Sequence, residues 1–267
     1  ITGYTDFIAP AGSSVMLLML GSLVLALGAH RTGLDRAAGR ALLAPLASSP
    51  ARLVAGVLCI SAFLSMWTSN TATAAIMLAV TRPLWGNAAL PASLRAAVPL
   101  AMAVGANVGG IASPVGTPPN AIVFARLQEM GHPLNFVQWL GVGLPLAAGV
   151  LAVGYLALRW ALPLPRAGEP DAQGAPLDIR AALLADAAPG APSAADAAPR
   201  WARAATLGVF VLTVLLWLTG PWTSVPVAAA ALAALVLLPL LGILRPVDFA
   251  HLEWDVLLLI LGGLVLG

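Results

Sequence analysis

Long stretches without a charged side chain recur along this 267-residue chain, and they constrain its fold more than any other feature. The apolar stretches are Gly12–Ala29, Leu53–Val80, Ala96–Val104, Phe136–Leu158, Ala204–Leu218, Val225–Leu244 and Val256–Gly267. Hydrophobic residues make up 60% of the chain and charged residues 9%, a balance that soluble domains do not reach. Because a membrane-spanning helix needs about 20 apolar residues, the sequence predicts an all-α, multi-pass membrane protein.

All 13 basic residues are arginines, and their positions predict the orientation of the chain. Arginines collect on the cytoplasmic side of membrane proteins, which places the loop 30–52, with four of them, in the cytoplasm. If residues 53–81 enter and leave on that side, twelve arginines lie inside and only Arg126 lies outside. The net charge of +2 gives no reason to expect a nucleic-acid partner.

A polar cluster interrupts the uncharged stretch 53–81, in the sequence "WTSNTATAAIML" at 67–78. Leu53–Met66 would form about 21 Å of helix, which is too short to cross a membrane. Residues 68–71 (TSNT) are helix N-cap types, and a second helical stretch follows them. The pattern predicts a re-entrant hairpin with a polar tip near mid-membrane. One long transmembrane helix with small polar contacts is the alternative, and only the arginine distribution favours the hairpin.

The segment "GANVGGIASPVGTPPNAI" at 105–122 carries four glycines and three prolines. Glycines allow close backbone approach, and prolines do not fit inside a continuous helix. Thr117 followed by Pro118 is an N-cap followed by a favoured first helical residue. The sequence predicts a broken helix over 96–130, unwound around 109–117. The alternative is a glycine packing motif with a simple proline kink.

Both breaks place free backbone groups, hydroxyls and amide oxygens at the same depth of the membrane. Oxygen ligands of this kind suit a hard cation such as Na⁺. The positive N-terminal ends of half-helices suit a carboxylate. We therefore expect a binding site for a small anion and co-transported Na⁺, and no organic cofactor.

The chain also repeats itself. "VMLLMLGSLVLA" at 15–26 matches "VLLLILGGLVLG" at 256–267 in eight of twelve positions. In the predicted orientation the first copy runs inward and the second outward, and inverted repeats are typical of secondary transporters. We expect 1–162 to form the first repeat and 201–267 the start of a second one, truncated at Gly267. The offset between the copies puts a second polar triplet at about positions 310–312 of a longer chain.

Between the two repeats, the proline-rich segment 163–200 predicts a flexible cytoplasmic loop. The predicted elements are a helix at 12–29, an amphipathic arm at 33–46, the hairpin at 53–81, the broken helix at 96–130, and helices at 136–160, 204–219, 225–244 and from 256.

At these residues the chain resembles the divalent-anion/sodium symporter family, carriers of dicarboxylates, citrate or sulfate. "SMWTSNTATAA" at 65–75 carries the Ser-Asn-Thr motif of that family, and "GLDRAAGRALL" at 33–43 resembles its amphipathic arm. "GGIASPVGTPPN" at 109–120 resembles its unwound helix, with Ser113 where many members have threonine. The resemblance covers roughly residues 7–162 and 201–267.

The resemblance implies Na⁺-coupled secondary transport of a small di- or tricarboxylate by an elevator mechanism. It also implies a homodimer in a bacterial inner membrane. The implied Na⁺ site consists of Ser65, Ser69 and Asn70 with carbonyls at Gly109 and Gly110. The substrate is expected at Asn70, Thr71, Ser113 and Thr117.

Other functions remain open or are disfavoured. An intramembrane enzyme with Ser69 as nucleophile would need a base, and no His or Lys lies in an apolar stretch. Proton-coupled carriers usually bury Asp or Glu in the membrane, whereas all eleven acidic residues here fall in loops or at helix ends. A Na⁺-independent anion exchanger, a carrier of sulfate or another anion on the same fold, and an inactive fragment remain alternatives.

The orientation is testable by labelling single cysteines in a Cys59→Ser background with a membrane-impermeant maleimide. Cysteines replacing Arg40, Arg82 and Arg95 should label only from the cytoplasmic side, and one replacing Arg126 only from the other. Labelling of the Arg40 and Arg82 positions from opposite sides would show that residues 53–81 cross the membrane.

Overall fold

The fold is described from a computed structural model, which covers residues 9–166, 169, 178–185 and 198–266. Every regular element in that part of the chain is a helix. The α-helices are α1 (Ser14–Thr32), α2 (Leu34–Leu43), α3 (Pro50–Ser65), α4 (Asn70–Trp85), α5 (Ala92–Gly109), α6 (Pro118–Glu129), α7 (Phe136–Ala161), α8 (Ile179–Ala185), α9 (Arg200–Thr223), α10 (Val227–Leu240) and α11 (Trp254–Leu266). Short 3₁₀ helices lie at Ala9–Gly12, Ala44–Leu46, Gly110–Ala112 and Pro246–His251.

Four helices of the described part are long and apolar enough to cross a membrane. They are α1, α7, α9 and the segment Ala92–Ala112, which joins α5 to the 3₁₀ helix after it. The helices α3 and α4 have 16 residues each. Each is about 24 Å long, which is shorter than the roughly 30 Å hydrocarbon core of a bilayer.

The helices α3 and α4 fold back on each other as a helical hairpin, with Met66–Ser69 between them. Leu53, near the start of α3, and Leu84, near the end of α4, share one hydrophobic cluster with Leu94 of α5. At the opposite end, Ser65 contacts Ala106 near the end of α5. The helix α3 therefore runs parallel to α5, and α4 runs antiparallel to both. Re-entry from one side of a membrane remains a prediction.

Two glycines bring α5 directly onto the backbone of α3. A Cβ atom at Gly105 would collide with the carbonyl oxygen of Leu58, and one at Gly109 would collide with the backbone of Ala62. Because no side chain of α5 intervenes at these positions, the two helices lie in backbone contact.

The chain unwinds between α5 and α6. One 3₁₀ turn follows α5, residues 113–117 are not helical, and α6 begins at Pro118 after an extended Thr117 (φ −153°). The chain therefore does not form the continuous helix with a proline kink that was the alternative prediction. Thr117 caps α6 by its backbone conformation without a side-chain hydrogen bond to the helix.

The predicted loop 163–200 contains a helix, α8, which packs on the helical hairpin. Ile179 and Leu183 are buried in the same cluster as Met77 and Val80 of α4. These apolar contacts tie this part of the predicted loop to α4. Residues 167–168, 170–177 and 186–197 lie outside the described part of the chain.

Arginines tie the helix ends together. Arg31, at the end of α1, pairs with Asp248 at 3.5 Å, and Arg203 of α9 donates to the carbonyl of Thr32 at 2.9 Å. The end of α1 thus lies beside the chain that leads into α11, as expected for antiparallel copies of a repeat. Arg126 lies at the other end of α11 and donates to the carbonyl of Leu264 at 3.2 Å. The inverted repeat itself remains a prediction.

The contact between α3 and α5 predicts the effect of one added methyl group. Gly105→Ala should lower stability by about 1–3 kcal/mol, because the backbone of Leu58 cannot move aside. Gly149→Ala on α7 is the control, since a Cβ at Gly149 meets no atom within 4 Å. Thermal unfolding in detergent measures both, and equal midpoints would contradict the packing.

Candidate substrate and cation site

The starts of α4 and α6 open onto one cavity of about 280 Å³. Ser69, Asn70 and Thr71 line it from the tip of the hairpin, and Thr117 and Pro118 from the broken helix. The ionisable residues among the described lining are Glu253 and Asp255. Positive potential in the cavity comes from the N-termini of α4 and α6, and from that of α11, whose first-turn residues Asp255 and Val256 also line it.

The two helix starts differ in the hydrogen bonds that they can offer. In α4 the Ser69 hydroxyl accepts a hydrogen bond from the backbone N–H of Ala72 at 3.1 Å. The N–H groups of Asn70 and Thr71 lie in the first turn of the helix, where the helix provides no carbonyl oxygen to accept from them. In α6 the first two residues are Pro118 and Pro119, which have no N–H. The start of α4 is therefore the hydrogen-bonding half of the site, and the start of α6 contributes mainly its dipole.

A cluster of neutral oxygens lies just inside the tip. The buried Ser65 hydroxyl lies 2.5 Å from the carbonyl oxygen of Ala106 and 2.8 Å from Oδ1 of Asn70. A hydroxyl has one proton and can donate to only one of these two oxygens. Three oxygens that share one proton form a set suited to a hard cation. No group of three His, Cys, Asp or Glu side chains competes for a metal ion in the described chain.

Gly110 belongs to the same cluster as Ser65 and Asn70. A Cβ on Gly110 would lie 2.7 Å from Oδ1 of Asn70, so only glycine lets the amide approach this closely. Gly109, predicted as a second carbonyl ligand, faces Ala62 and serves the contact between α3 and α5.

The hydroxyls of Ser69 and Thr71 make their hydrogen bonds to groups outside the oxygen cluster. Their hydroxyl oxygens are 3.1 Å from each other and face the cavity. Thr117 lines the same cavity from the broken helix. The geometry thus groups Ser69 with the predicted substrate residues, although the resemblance implied a role at the cation.

Ser113 does not reach the cavity. Its hydroxyl is fully buried and donates to the carbonyl oxygen of Met66 at 2.5 Å. This bond fastens the unwound segment to the tip of the hairpin. The structure therefore places Ser113 in a supporting position, in contrast to the direct substrate contact expected from the sequence.

Asn120 holds the unwound segment together. Its side-chain amide donates to the carbonyl oxygens of Gly110 and Ser113, each at 2.8 Å. These bonds replace the helical bonds that the break removes. Sequence reasoning included Asn120 in the motif but gave it no role, although an Asn directly after two helix-starting prolines was a usable signal.

Trp67 anchors the tip in an aromatic cluster. Its ring stacks on Phe136 at 6.2 Å and on Trp217 at 6.4 Å between centroids, and meets Phe210 edge-on at 5.8 Å. Phe136 belongs to α7, and the other two rings belong to α9. Offset and edge-to-face pairs of this kind favour one orientation of the tip.

Glu253 contacts the tip of the hairpin, which the sequence did not predict. Oε1 of its carboxylate accepts hydrogen bonds from the hydroxyls of Ser69, at 2.6 Å, and Thr71, at 3.2 Å. Oε2 is buried without a hydrogen-bond partner. Sequence reasoning placed this residue in a loop. That is correct, but the loop reaches the tip of the hairpin.

Comparison with known proteins then decides the family. The family model described as "Citrate transporter" matches residues 1–267. The chain belongs to the citrate transporter family. With four helices able to cross a membrane, this family member is an integral membrane protein.

Curated relatives include the sodium-dependent dicarboxylate transporter of Staphylococcus aureus, in strains NCTC 8325, COL and N315. Each is 28% identical to this chain over 160 residues. The match covers 56% of this chain and 31% of the relative, so the chain corresponds to only part of those proteins. Both the family and these relatives carry the names of transporters and not of enzymes.

Replacing the side-chain amide of Asn120 with a carboxylate tests its role. Asn120→Asp replaces the amide donor with a carboxylate, which cannot donate to two carbonyl oxygens, and should lower stability by about 2–4 kcal/mol. Asn107→Asp is the control, because Asn107 is exposed and donates to the carbonyl oxygen of Ala103 within the same helix, α5. Thermal unfolding in detergent compares the two, and similar losses would contradict a special role for Asn120.

Proposed function

We propose that this chain forms a substrate and Na⁺ site of a secondary transporter for a small di- or tricarboxylate. One observation carries the proposal: two helix N-termini and the hydroxyls of Ser69 and Thr71 converge on a cavity beside a cluster of neutral oxygens. The name of the family points to citrate, and the names of the relatives point to Na⁺ and dicarboxylates.

The substrate carboxylate binds at the start of α4. The N–H groups of Asn70 and Thr71 and the hydroxyls of Ser69 and Thr71 donate to it, and the dipole of α4 stabilises its charge. Thr117 and the start of α6 face a second carboxylate of the same substrate. Ser113 supports this arrangement by holding the unwound segment against the tip.

The cation binds among Ser65, Asn70, the carbonyl of Ala106 and the backbone of Gly109 and Gly110. Na⁺ held by Oδ1 of Asn70 turns the amide nitrogen of that residue away from the ion. The same side chain then presents a donor toward the substrate. One residue shared between both ligands makes the binding of each favour the other, which is the condition for coupling.

The helical hairpin and the broken helix are the parts that carry the site across the membrane in an elevator mechanism. They are joined by backbone contacts at Gly105 and Gly109 and by the Ser113 hydrogen bond to Met66, so they move as one body. The exposed apolar surfaces of α7 and α9 face lipid or a second copy of the chain, in keeping with a homodimer in a bacterial inner membrane.

Uptake of radiolabelled succinate and citrate into proteoliposomes, with the full-length gene product and with or without a Na⁺ gradient, tests the function. Asn70→Ala should abolish uptake because it removes a ligand of both species. Ser65→Ala should raise the Na⁺ concentration for half-maximal uptake about tenfold or more, and Thr71→Val should raise the KM for substrate instead. Thr219→Val, at an exposed helix threonine, is the control.

Uptake that does not depend on Na⁺ would favour an anion exchanger on the same fold. Normal uptake by a correctly inserted Asn70→Ala variant would contradict the site itself.

A further inference from the structure

The carboxylate of Glu253 occupies the position at which the proposed substrate carboxylate binds. It accepts hydrogen bonds from the Ser69 and Thr71 hydroxyls, at the start of α4. We propose that Glu253 is a tethered competitor, which closes the tip of the hairpin in the absence of substrate and must be displaced when a substrate carboxylate binds. This inference rests on the proposed function and names a residue that sets the substrate affinity of the site.

The two hydroxyls cannot serve both carboxylates. Each hydroxyl has one proton, and both hydroxyl oxygens lie within hydrogen-bond distance of Oε1 of Glu253, at 2.6 Å for Ser69 and 3.2 Å for Thr71. The Ser69 oxygen already accepts from the N–H of Ala72, which fixes the orientation of the hydroxyl. A substrate that takes these two donors therefore leaves Glu253 without its partners, and two carboxylates at one helix start also repel each other.

The hold of Glu253 on the tip is incomplete, which makes displacement feasible. Oε2 has no hydrogen-bond partner, so the carboxylate has only one oxygen satisfied. Glu253 lies on the two-residue connection between the 3₁₀ helix Pro246–His251 and α11, and a rotation of its side chain requires no movement of either helix.

A second cavity offers the displaced carboxylate a new position. This cavity, of about 480 Å³, adjoins the tip and shares Ser69 and Glu253 with the substrate cavity. Arg31, Arg36 and Asp248 line it, and because Asp248 pairs with Arg31 these three residues carry one net positive charge. A carboxylate that leaves the tip therefore moves toward positive charge, which lowers the cost of displacement.

Competition of this kind weakens the apparent affinity for substrate. The apparent dissociation constant equals the intrinsic one divided by the fraction of molecules whose tip is free. If Glu253 holds the tip in about nine molecules of ten, its removal strengthens apparent binding about tenfold.

Glu253→Gln tests the proposal in the full-length gene product. The variant keeps the size of the side chain but removes its charge, and the KM for succinate should fall about tenfold while the Na⁺ dependence stays unchanged. Asp255→Asn is the matched control, since Asp255 lines the same cavity but makes no hydrogen bond to the tip in the described structure.

Three outcomes would overturn the competition. An unchanged or higher KM in Glu253→Gln would show that the carboxylate does not compete with substrate. A weaker response to Na⁺ in that variant would make Glu253 a cation ligand. An equal fall of the KM in Asp255→Asn would assign the effect to the general negative charge of the cavity.

A second measurement does not depend on transport. Thr71→Cys in a Cys59→Ser background places a thiol at the tip, and a small neutral maleimide should alkylate it severalfold faster when Glu253 is Gln. Equal alkylation rates would overturn the contact between Glu253 and the tip. Unequal alkylation rates together with no binding or uptake of succinate would overturn the proposed function. The competition between Glu253 and substrate would then fall as well, whereas the contact between Glu253 and the tip would stand.

Discussion

The backbone contact between α3 and α5 is the constraint on which the candidate site depends. Gly105 and Gly109 bring the two helices together without intervening side chains. This fixes their relative position closely, because a shift along either helix would drive a side chain into a backbone. Ser65 then meets Ala106, and Gly110 meets the amide of Asn70. The oxygen cluster follows from this helix contact and needs no charged residue to assemble it.

Breaking two helices inside an apolar protein exposes backbone groups that must find partners. The structure satisfies most of them with neutral side chains. Asn120 donates to carbonyls of the unwound segment, Ser113 donates to Met66, and Ser69 caps α4. The groups that a ligand can use are the first N–H groups of α4 and the oxygens around Ser65.

The local part of this arrangement was predictable from the sequence, and the long-range part was not. Glycines, prolines and N-cap residues identify helix breaks because their effect is on the backbone next to them, so a tip around 68–71 and a break around 109–117 could be predicted; the structure has them at 66–69 and 113–117. The direction of the Ser113 hydroxyl could not be predicted, because it depends on how the hairpin packs. Glu253 reaches Ser69 across 184 residues of chain, and no local pattern records such a contact.

The contacts of the tip with the rest of the chain bear on how a carrier of this design moves. Two of them join the helical hairpin to other elements: Trp67 stacks on Trp217 of α9, and Glu253 binds Ser69 and Thr71. Both must break if the hairpin and broken helix move as one body. The stacking is independent of substrate, but the Glu253 contact is lost when substrate takes its place. Substrate binding then removes one of the contacts that hold the empty site in position, so occupancy and movement become linked through a single carboxylate.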